Sequence, residues 1–353
     1  MPANKDPDTK GKWLCQFYYT DWTGERKKKR KRGFDTKHAA QEWEQEFIRK
    51  HSADINMTVS SFIDIYIEDM SHRLRRSTLE NKKHVLNSKI KPYFGSKPLS
   101  SIQPTDVRKW QNELIAEGYA PTYLKTTNNQ LTALFNYAVK YYDLKENPCR
   151  KAGSIGKKKA ESMQFWTSEE FKVFMNHMEE KNVFDIGFRL LYYTGMRIGE
   201  LLALTGDDID LDNGIVNINK TFQRIGTDDI ITEPKTPKSK RIVTIPCELA
   251  AYLKEYFAVV YPATPDVRVF EGYTKRHFEG KLKKVCETSG VKVIRLHDIR
   301  HSHASLLIEM GFSPLLIAER LGHESVETTL NTYAHLYPHK QTEVADKLNS
   351  IWF

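Results

Sequence analysis

Six side chains in this sequence could together break and remake a phosphodiester bond: Arg197, Lys235, His297, Arg300, His323 and Tyr333. A guanidinium forks onto nonbridging oxygens with paired, charge-assisted bonds and stays protonated. Two of them would also stabilise the charge that gathers on a pentacovalent phosphorus. A tyrosine could attack that phosphorus, but with an unperturbed pKa of ~10 it needs a base or a strongly positive site near neutral pH. His297 or the surrounding cations would serve. The departing sugar oxygen needs a proton, and Lys235, in a lysine-bearing turn between two strands, is placed to supply it.

Taken singly, each residue has an ordinary reading. Arg197 would be a surface or salt-bridging arginine, Lys235 a solvated turn lysine, and Tyr333 an amphipathic core residue with its hydroxyl at the surface. The ordered set argues otherwise, because charged groups with perturbed chemistry gather at active sites. Alternatives within the set are Lys238 and Lys240, which share the turn with Lys235, and Tyr337, which competes with Tyr333 as nucleophile. His297 and His301 stand at the i, i+4 spacing of zinc ligands, yet the glutamate of an HExxH pair is missing, so no metal site is expected. His301 and His303 read as helix-packing or DNA-facing residues.

Local patterns say how these groups would be positioned. Ile299, Leu306, Leu307 and Met310 predict a helix from Asp298, with Arg300 near its first turn beside His297. Ser313-Pro314 is a cap followed by proline at the first helical position, and Gly322 is a C-terminal stop, so His323 begins a loop. A further helix opens near Ser325 and contains Tyr333. Arg197 stands between Gly195 and Gly199, after a helix over Phe184 to Tyr193, where glycine lets backbone approach a ligand closely. Strands are predicted at Ile215 to Asn219, Ile230 to Thr232 and Arg241 to Ile245, with the turn Pro234 to Lys240 between the last two.

The rest of the chain divides by pattern. At 353 residues it is long enough for two or three domains. Its 54 Lys and Arg against 45 Asp and Glu leave a net charge of +9, which points to an acidic partner, of which nucleic acid is the commonest. The four scattered cysteines read as reduced thiols, and no apolar run reaches the ~18 residues of a bilayer span. A soluble cytoplasmic protein is therefore expected.

Residues 1–55 form a small sheet-and-helix unit. Trp13 to Tyr19 is strand-like, Asp21 to Gly24 is a turn, and a second strand runs through Arg26 to Phe34, before a helix capped by Thr36. The second strand carries Arg26, Lys27, Lys28, Lys29, Arg30, Lys31 and Arg32 in succession, charges that repel one another unless a polyanion neutralises them. A solvated tail or localisation signal is the plainer alternative. The aromatics Trp13, Phe17, Tyr19 and Trp22 beside that strand favour a DNA groove. Residues 57–148 read as all-helical, with Thr105 capping a helix that stops at Gly118 and Pro121 opening the next. Residues 149–162, with Lys157, Lys158 and Lys159, read as a flexible basic linker able to track phosphates. Residues 163–353 complete the chain, ending in an amphipathic helix over 341–353.

In combination, TGMRIGE from Thr194, the lysine of the strand–turn–strand, LHDIRHSHAS from Leu296, LGHES from Leu321 and NTYAHL from Asn331 resemble the motifs of the tyrosine recombinases, the lambda-type integrases of phages and conjugative transposons. The resemblance covers nearly the whole chain. It implies an α+β multidomain protein: an arm-type DNA-binding domain with a three-stranded sheet and a helix, a helical core-binding domain, and a mainly α catalytic domain with a small antiparallel sheet. It implies that Arg197, Lys235, His297, Arg300 and His323 activate a scissile phosphate, that Tyr333 becomes linked to a DNA 3′-phosphate, and that neither ATP nor a metal ion is needed. Core and arm attachment sites, a homotetramer on DNA with the tail helix docked in trans, an excisionase and a host DNA-bending protein are the implied partners. A type IB topoisomerase shares the covalent chemistry but relaxes one duplex. A non-catalytic architectural protein would explain the charge but not the Arg-Lys-His-Arg-His-Tyr order.

Overall fold

Alternating side chains in the third strand of the chain decide how its basic run is displayed. The computed structural model describes residues 3–9, 11–20, 26–51, 57–157, 163–234, 236–260, 266–336, 348–349 and 352. Strands β1 (Ala3–Lys5), β2 (Trp13–Thr20) and β3 (Arg26–Phe34) form one antiparallel sheet in that order, and α1 (Lys37–His51) packs on it. Thr36 Oγ1 accepts the Ala39 N–H at the start of α1, as expected. Phe17 meets Trp43 edge-on at 5.7 Å, and Tyr19 meets Phe47 at 4.9 Å.

Directly paired residues share a face. Lys29 lies opposite Phe17 and Lys31 opposite Cys15, on the side of α1, and their ammonium groups sit over the rings of Phe47 and Trp43, each at 5.3 Å. Their stems cover apolar surface while the charge stays in water. Lys28 lies opposite Tyr18 and Arg30 opposite Gln16 on the other face, where Arg26 stacks on the exposed Tyr18 ring at 4.9 Å. The expected turn Asp21 to Gly24, with Trp22, lies outside the described residues.

The helical segment follows. Thr58 caps α2 (Val59–Ser71), and α3 (Arg76–Val85) continues through a wide π-turn, Leu86–Ile90, into α4 (Lys91–Phe94). Pro92 explains the wide turn: it has no N–H for the carbonyl four residues back, and the Lys91 N–H bonds Leu86 O instead. In α5 (Pro104–Ala116) the cap is Gln103, not Thr105. The Asp106 carboxylate accepts the Gln103 N–H at 2.9 Å, and Pro104 is the first helical residue, where a missing N–H costs nothing. α6 (Pro121–Tyr141) buries Leu131, Leu134 and Phe135 against Phe62, Leu86 and Phe94.

The expected flexible linker needs correction over 149–157. Asn147 and Pro148 start a helical turn, α7 (Pro148–Ala152), that buries Cys149 and Ala152. Gln111 Nε2 then donates to Gly153 O at 2.8 Å, Lys125 Nζ to Ser154 Oγ at 2.6 Å, and the Lys157 N–H to Pro121 O at 3.1 Å. The segment has no apolar period, so the sequence offers no hint of this anchoring. Lys158 and Lys159 lie outside the described residues.

The chain splits into two compact units, Met1–Glu161 and Ser162–Phe353. In the second, Thr167 and Glu170 cap α8 (Ser168–Asn176) reciprocally, and α9 (Val183–Thr194) leads through Gly195 to α10 (Ile198–Leu201). Strands β4 (Ile209–Asp210), β5 (Ile215–Ile218), β6 (Thr221–Ile225), β7 (Asp228–Thr232) and β8 (Arg241–Thr244) make a β4-β5-β8 antiparallel sheet and a separate β6–β7 hairpin. β4 and β6 are not among the expected strands, and β4 is only two residues long. Then come α11 (Cys247–Val260), α12 (Lys275–Ser289), α13 (Leu296–Glu309), α14 (Pro314–Leu321) and α15 (Val326–Tyr333). Phe174, Phe188, Phe270, Phe278 and Ile299 centre the main core, and Leu307, Ile317, Leu321 and Tyr333 join α13, α14 and α15 in a second cluster.

Cys15, Cys149 and Cys286 are buried free thiols and Cys247 is an exposed one. Among the described residues no helix is long and apolar enough to cross a membrane, and no group of three or more His, Cys, Asp or Glu could hold a metal ion. The tail helix over 341–353 and Tyr337 lie outside the described residues, apart from positions 348, 349 and 352.

Gly195 is the hinge on which the site turns. Its φ of +65° ends α9, and a Cβ there would meet His303 Cδ2 at 2.5 Å and Leu321 Cδ2 at 2.7 Å. Gly195→Ala should therefore lower stability by ~1–3 kcal/mol, through left-handed strain and displaced neighbours. Urea denaturation checks this, and an unchanged midpoint would contradict the packing.

Candidate active site

Arg300 sits on the first turns of α13, and both sides of its guanidinium meet backbone. Nη1 donates to Gly195 O at 2.9 Å and Nη2 to Leu321 O at 2.6 Å, so one side chain ties the end of α9 to the end of α14. The residue is 3% exposed, and no carboxylate among the described residues bonds it. Burial first, then the nearby charges of Arg197 and Arg241, push its pKa down to about 9, still a cation at neutral pH. A buried, crowded cation of this kind favours an arriving anion.

Arg197 is the capping residue of α10, and its side chain is 39% exposed where that of Glu200 is 3%. Its Nη1 donates to Glu200 Oε1 at 2.7 Å, while Arg241 Nη2 donates to the other carboxylate oxygen at 3.0 Å. Burial works to raise the Glu200 carboxyl, but Arg241 and Arg197 together hold it below the usual range. Arg241 Nε also donates to Arg320 O at 2.8 Å, tying β8 to α14. Arg320 in turn donates to His303 Nε2 at 3.1 Å and to the Tyr193 and Thr244 carbonyls.

The stop at Gly322, φ +67°, turns the chain so that His323 leaves α14 toward the same cations. His323 Nδ1 lies 2.7 Å from the buried Thr329 hydroxyl of α15, and burial followed by Arg300, Arg197 and Arg241 pushes its pKa down to about 3. His297 is exposed, yet the protein around its ring, with His301, Arg300 and Arg197, lowers it to about 4. Tyr333 is 1% exposed, and burial raises its phenol to about 12, with Arg300 opposing. Its hydroxyl meets His301 Nδ1 at 2.6 Å. Lys235 lies outside the described residues. Its neighbour Lys238 donates to Glu324 O at 2.9 Å, beside His323, and Lys240 pairs with Glu233.

Four of the six expected residues thus come from separate segments, α10, α13, the loop after α14 and α15, into one charge field, with His297 at its edge. Sequence reasoning missed the tie residues. Glu200 stands three residues after Arg197, a capping-box spacing that could have flagged it, whereas Arg241 and Thr329 carry no local signal.

The phage integrase family matches residues 164–340, an N-terminal SAM-like domain of phage integrases matches 58–115, and an arm DNA-binding domain matches 4–51. The ICEBs1 integrase of Bacillus subtilis (strain 168) is 31% identical over 332 residues, which cover 88% of this chain and 87% of that protein. The chain belongs to the phage integrase family. It is a site-specific tyrosine recombinase that acts on DNA. Solved integrases of this family share the fold. The Tn1549 transposon integrase in complex with a circular intermediate DNA is similar with a TM-score of 0.67 at 19% identity, covering 84% of this chain and 99% of that one. A lambda integrase tetramer bound to a Holliday junction is similar with a TM-score of 0.59 at 18% identity, covering 96% and 95%. In this integrase Arg197, Arg300, His323 and Tyr333 all fall inside the matched region 164–340.

The protein packed around His303 and His323, and around the ring of the otherwise exposed His297, sets a pH response. His297, His303 and His323 are lowered to about 4, 3 and 3, so as the pH falls below the unfolded value near 6.5 the unfolded chain takes up protons first. Their contribution to stability is complete above about pH 6.5 and is lost as pH falls toward the folded values. Unfolding free energies should drop steadily from pH 6.5 to 4.5, and a flat profile over that window would contradict the burial.

Proposed function

We propose that Tyr333 attacks a scissile DNA phosphate gripped by Arg197, Arg300, His297 and His323. Cleavage leaves a 3′-phosphotyrosine and a free 5′-hydroxyl. Lys235 protonates the departing oxygen, and a partner's 5′-hydroxyl then attacks the phosphotyrosine, so the bond energy is conserved without ATP. The observation that carries this reading is the placement of buried Arg300 between Gly195 and Leu321, which puts the guanidinium in the same field as Arg197, His323 and the Tyr333 phenol. Two cations there can each be worth several kcal/mol to a pentacovalent transition state, since removing one oxyanion-hole donor costs ~3–4 kcal/mol.

The wider assembly follows the same reading. Residues 1–55 hold arm-type sites, 57–148 clasp core sites, and 163–353 cut, with the reach between the last two supplied by what remains of 149–162 beyond its anchored part. The protein inserts and excises a mobile element as a tetramer, with the tail helix of 341–353 docked on a neighbour, helped by an excisionase and a host DNA-bending protein. The lambda integrase tetramer on a Holliday junction supports the tetramer by similarity of fold.

A nicked suicide duplex tests the chemistry. The wild-type protein should trap a covalent adduct and Tyr333→Phe should form none, while binding the duplex normally. An adduct that persists in Tyr333→Phe would sink the assignment. The open face of the arm sheet is tested separately: Lys28→Ala with Arg30→Ala should weaken arm-site binding and reduce the slope of log K against log salt by up to ~2, about 0.9 for each phosphate that is no longer neutralised. An unchanged slope would place the DNA elsewhere.

A further inference from the structure

The hydroxyl of Tyr333 is far from bulk water, and burial makes its proton harder to lose, so attack on phosphorus needs an acceptor at that oxygen. Among the described residues the side chain that bonds it is His301, at 2.6 Å from Nδ1, with the two rings edge-on and their centroids 5.5 Å apart. His297, the acceptor suggested by sequence, meets the His301 ring at 5.1 Å on the side of the substrate cations. His301 follows Arg300 directly on α13, and one residue is a hundred-degree step around a helix. That step lets adjacent positions serve phosphate and nucleophile separately.

We propose that His301 is a further catalytic residue, the general base that takes the phenolic proton of Tyr333 as its oxygen attacks phosphorus. This rests on the reading of Tyr333 as nucleophile. Nδ1 accepts the proton from the hydroxyl, which requires the tautomer with hydrogen on Nε2. The Tyr333 Oη–phosphorus bond forms as the bond to the 5′ oxygen breaks, and that oxygen takes its proton from the general acid. When a 5′-hydroxyl later attacks the phosphotyrosine, it returns its proton to the conjugate base of the general acid as the phosphorus–Oη bond breaks, and protonated His301 returns its proton to the leaving phenolate. The charged and titratable groups around the ring are Tyr333 from α15, His323 from the loop after α14, and Arg295, His297, Asp298 and Arg300 at the start of its own helix. Burial keeps His301 in its neutral, accepting form at pH 7, against the pull of Asp298.

The test uses the full-length protein and single-turnover adduct formation on the suicide duplex. His301→Asn keeps a polar group near Nδ1 without a base, and should cleave at least ~100-fold more slowly, the usual scale of general-base loss, with DNA affinity and melting temperature unchanged. Its rate should also go on climbing with pH where the wild-type rate levels off. Imidazole in the buffer should raise the rate of His301→Ala in proportion to its concentration. A His301→Asn rate within about threefold of wild type, or faster than wild type, would overturn the proposal, the second result making His301 a clamp on a resting nucleophile. A slow His301→Asn whose His301→Ala counterpart ignores imidazole would make the residue structural and also overturn it. An adduct in Tyr333→Phe would instead defeat the nucleophile reading, whatever the His301 variants do.

Discussion

A buried guanidinium held, among the described residues, by two backbone carbonyls organises the catalytic unit. Arg300 draws the end of α9 and the end of α14 onto one side chain, and both ends are glycine turns, at Gly195 and Gly322, that free those carbonyls to point inward. Such a charge is costly unless neutralised. Its nearest relief inside the protein is Glu200, already shared between Arg197 and Arg241. The cluster therefore keeps a surplus of positive charge, which on the proposed function a DNA phosphate neutralises. Burial first, and then the same surplus, lower the neighbouring His297 and His323, so both imidazoles are neutral at pH 7.

Most of this is legible in the sequence at the level of elements. Ser313, Pro314 and Gly322 mark α14 because caps and stops act over three or four residues, and the Arg197, Arg300, His323 and Tyr333 set is recognisable by type and order. What escapes is long range. Arg241 touches Glu200 forty-one positions away, and no periodicity encodes that. His301 is visible but misleading: its spacing from His297 suggests a metal, whereas its partner is a phenol thirty-two positions on. Lys157 reads as part of a tether because lysine and glycine signal flexibility, but its backbone is bound to Pro121.

The arm sheet solves a different electrostatic problem. Consecutive lysines on a strand must alternate faces, so half of a basic run is forced toward whatever packs on the sheet. Here the inward Lys29 and Lys31 land on aromatic rings of α1 and β3, which tolerate a cation at their faces, while on the outward side Arg26 and Lys28 meet Tyr18 and Arg32 pairs with Asp8. Aromatic side chains thus do two things at once: they build the small core and they quiet the charge that would unfold it.

The turn that carries Lys235 is pinned on both flanks. Lys240 reaches back to Glu233, Thr236 and Ser239 share a hydroxyl contact at 3.0 Å, and Lys238 is tied to Glu324 O. On the proposed function, the described flanks, tied to each other and to Glu324 O, hold this turn beside His323, and the cost of confining them is met when the domain folds. Loosening either flank would let the turn drift from His323 without changing any residue that meets the phosphate in that reading.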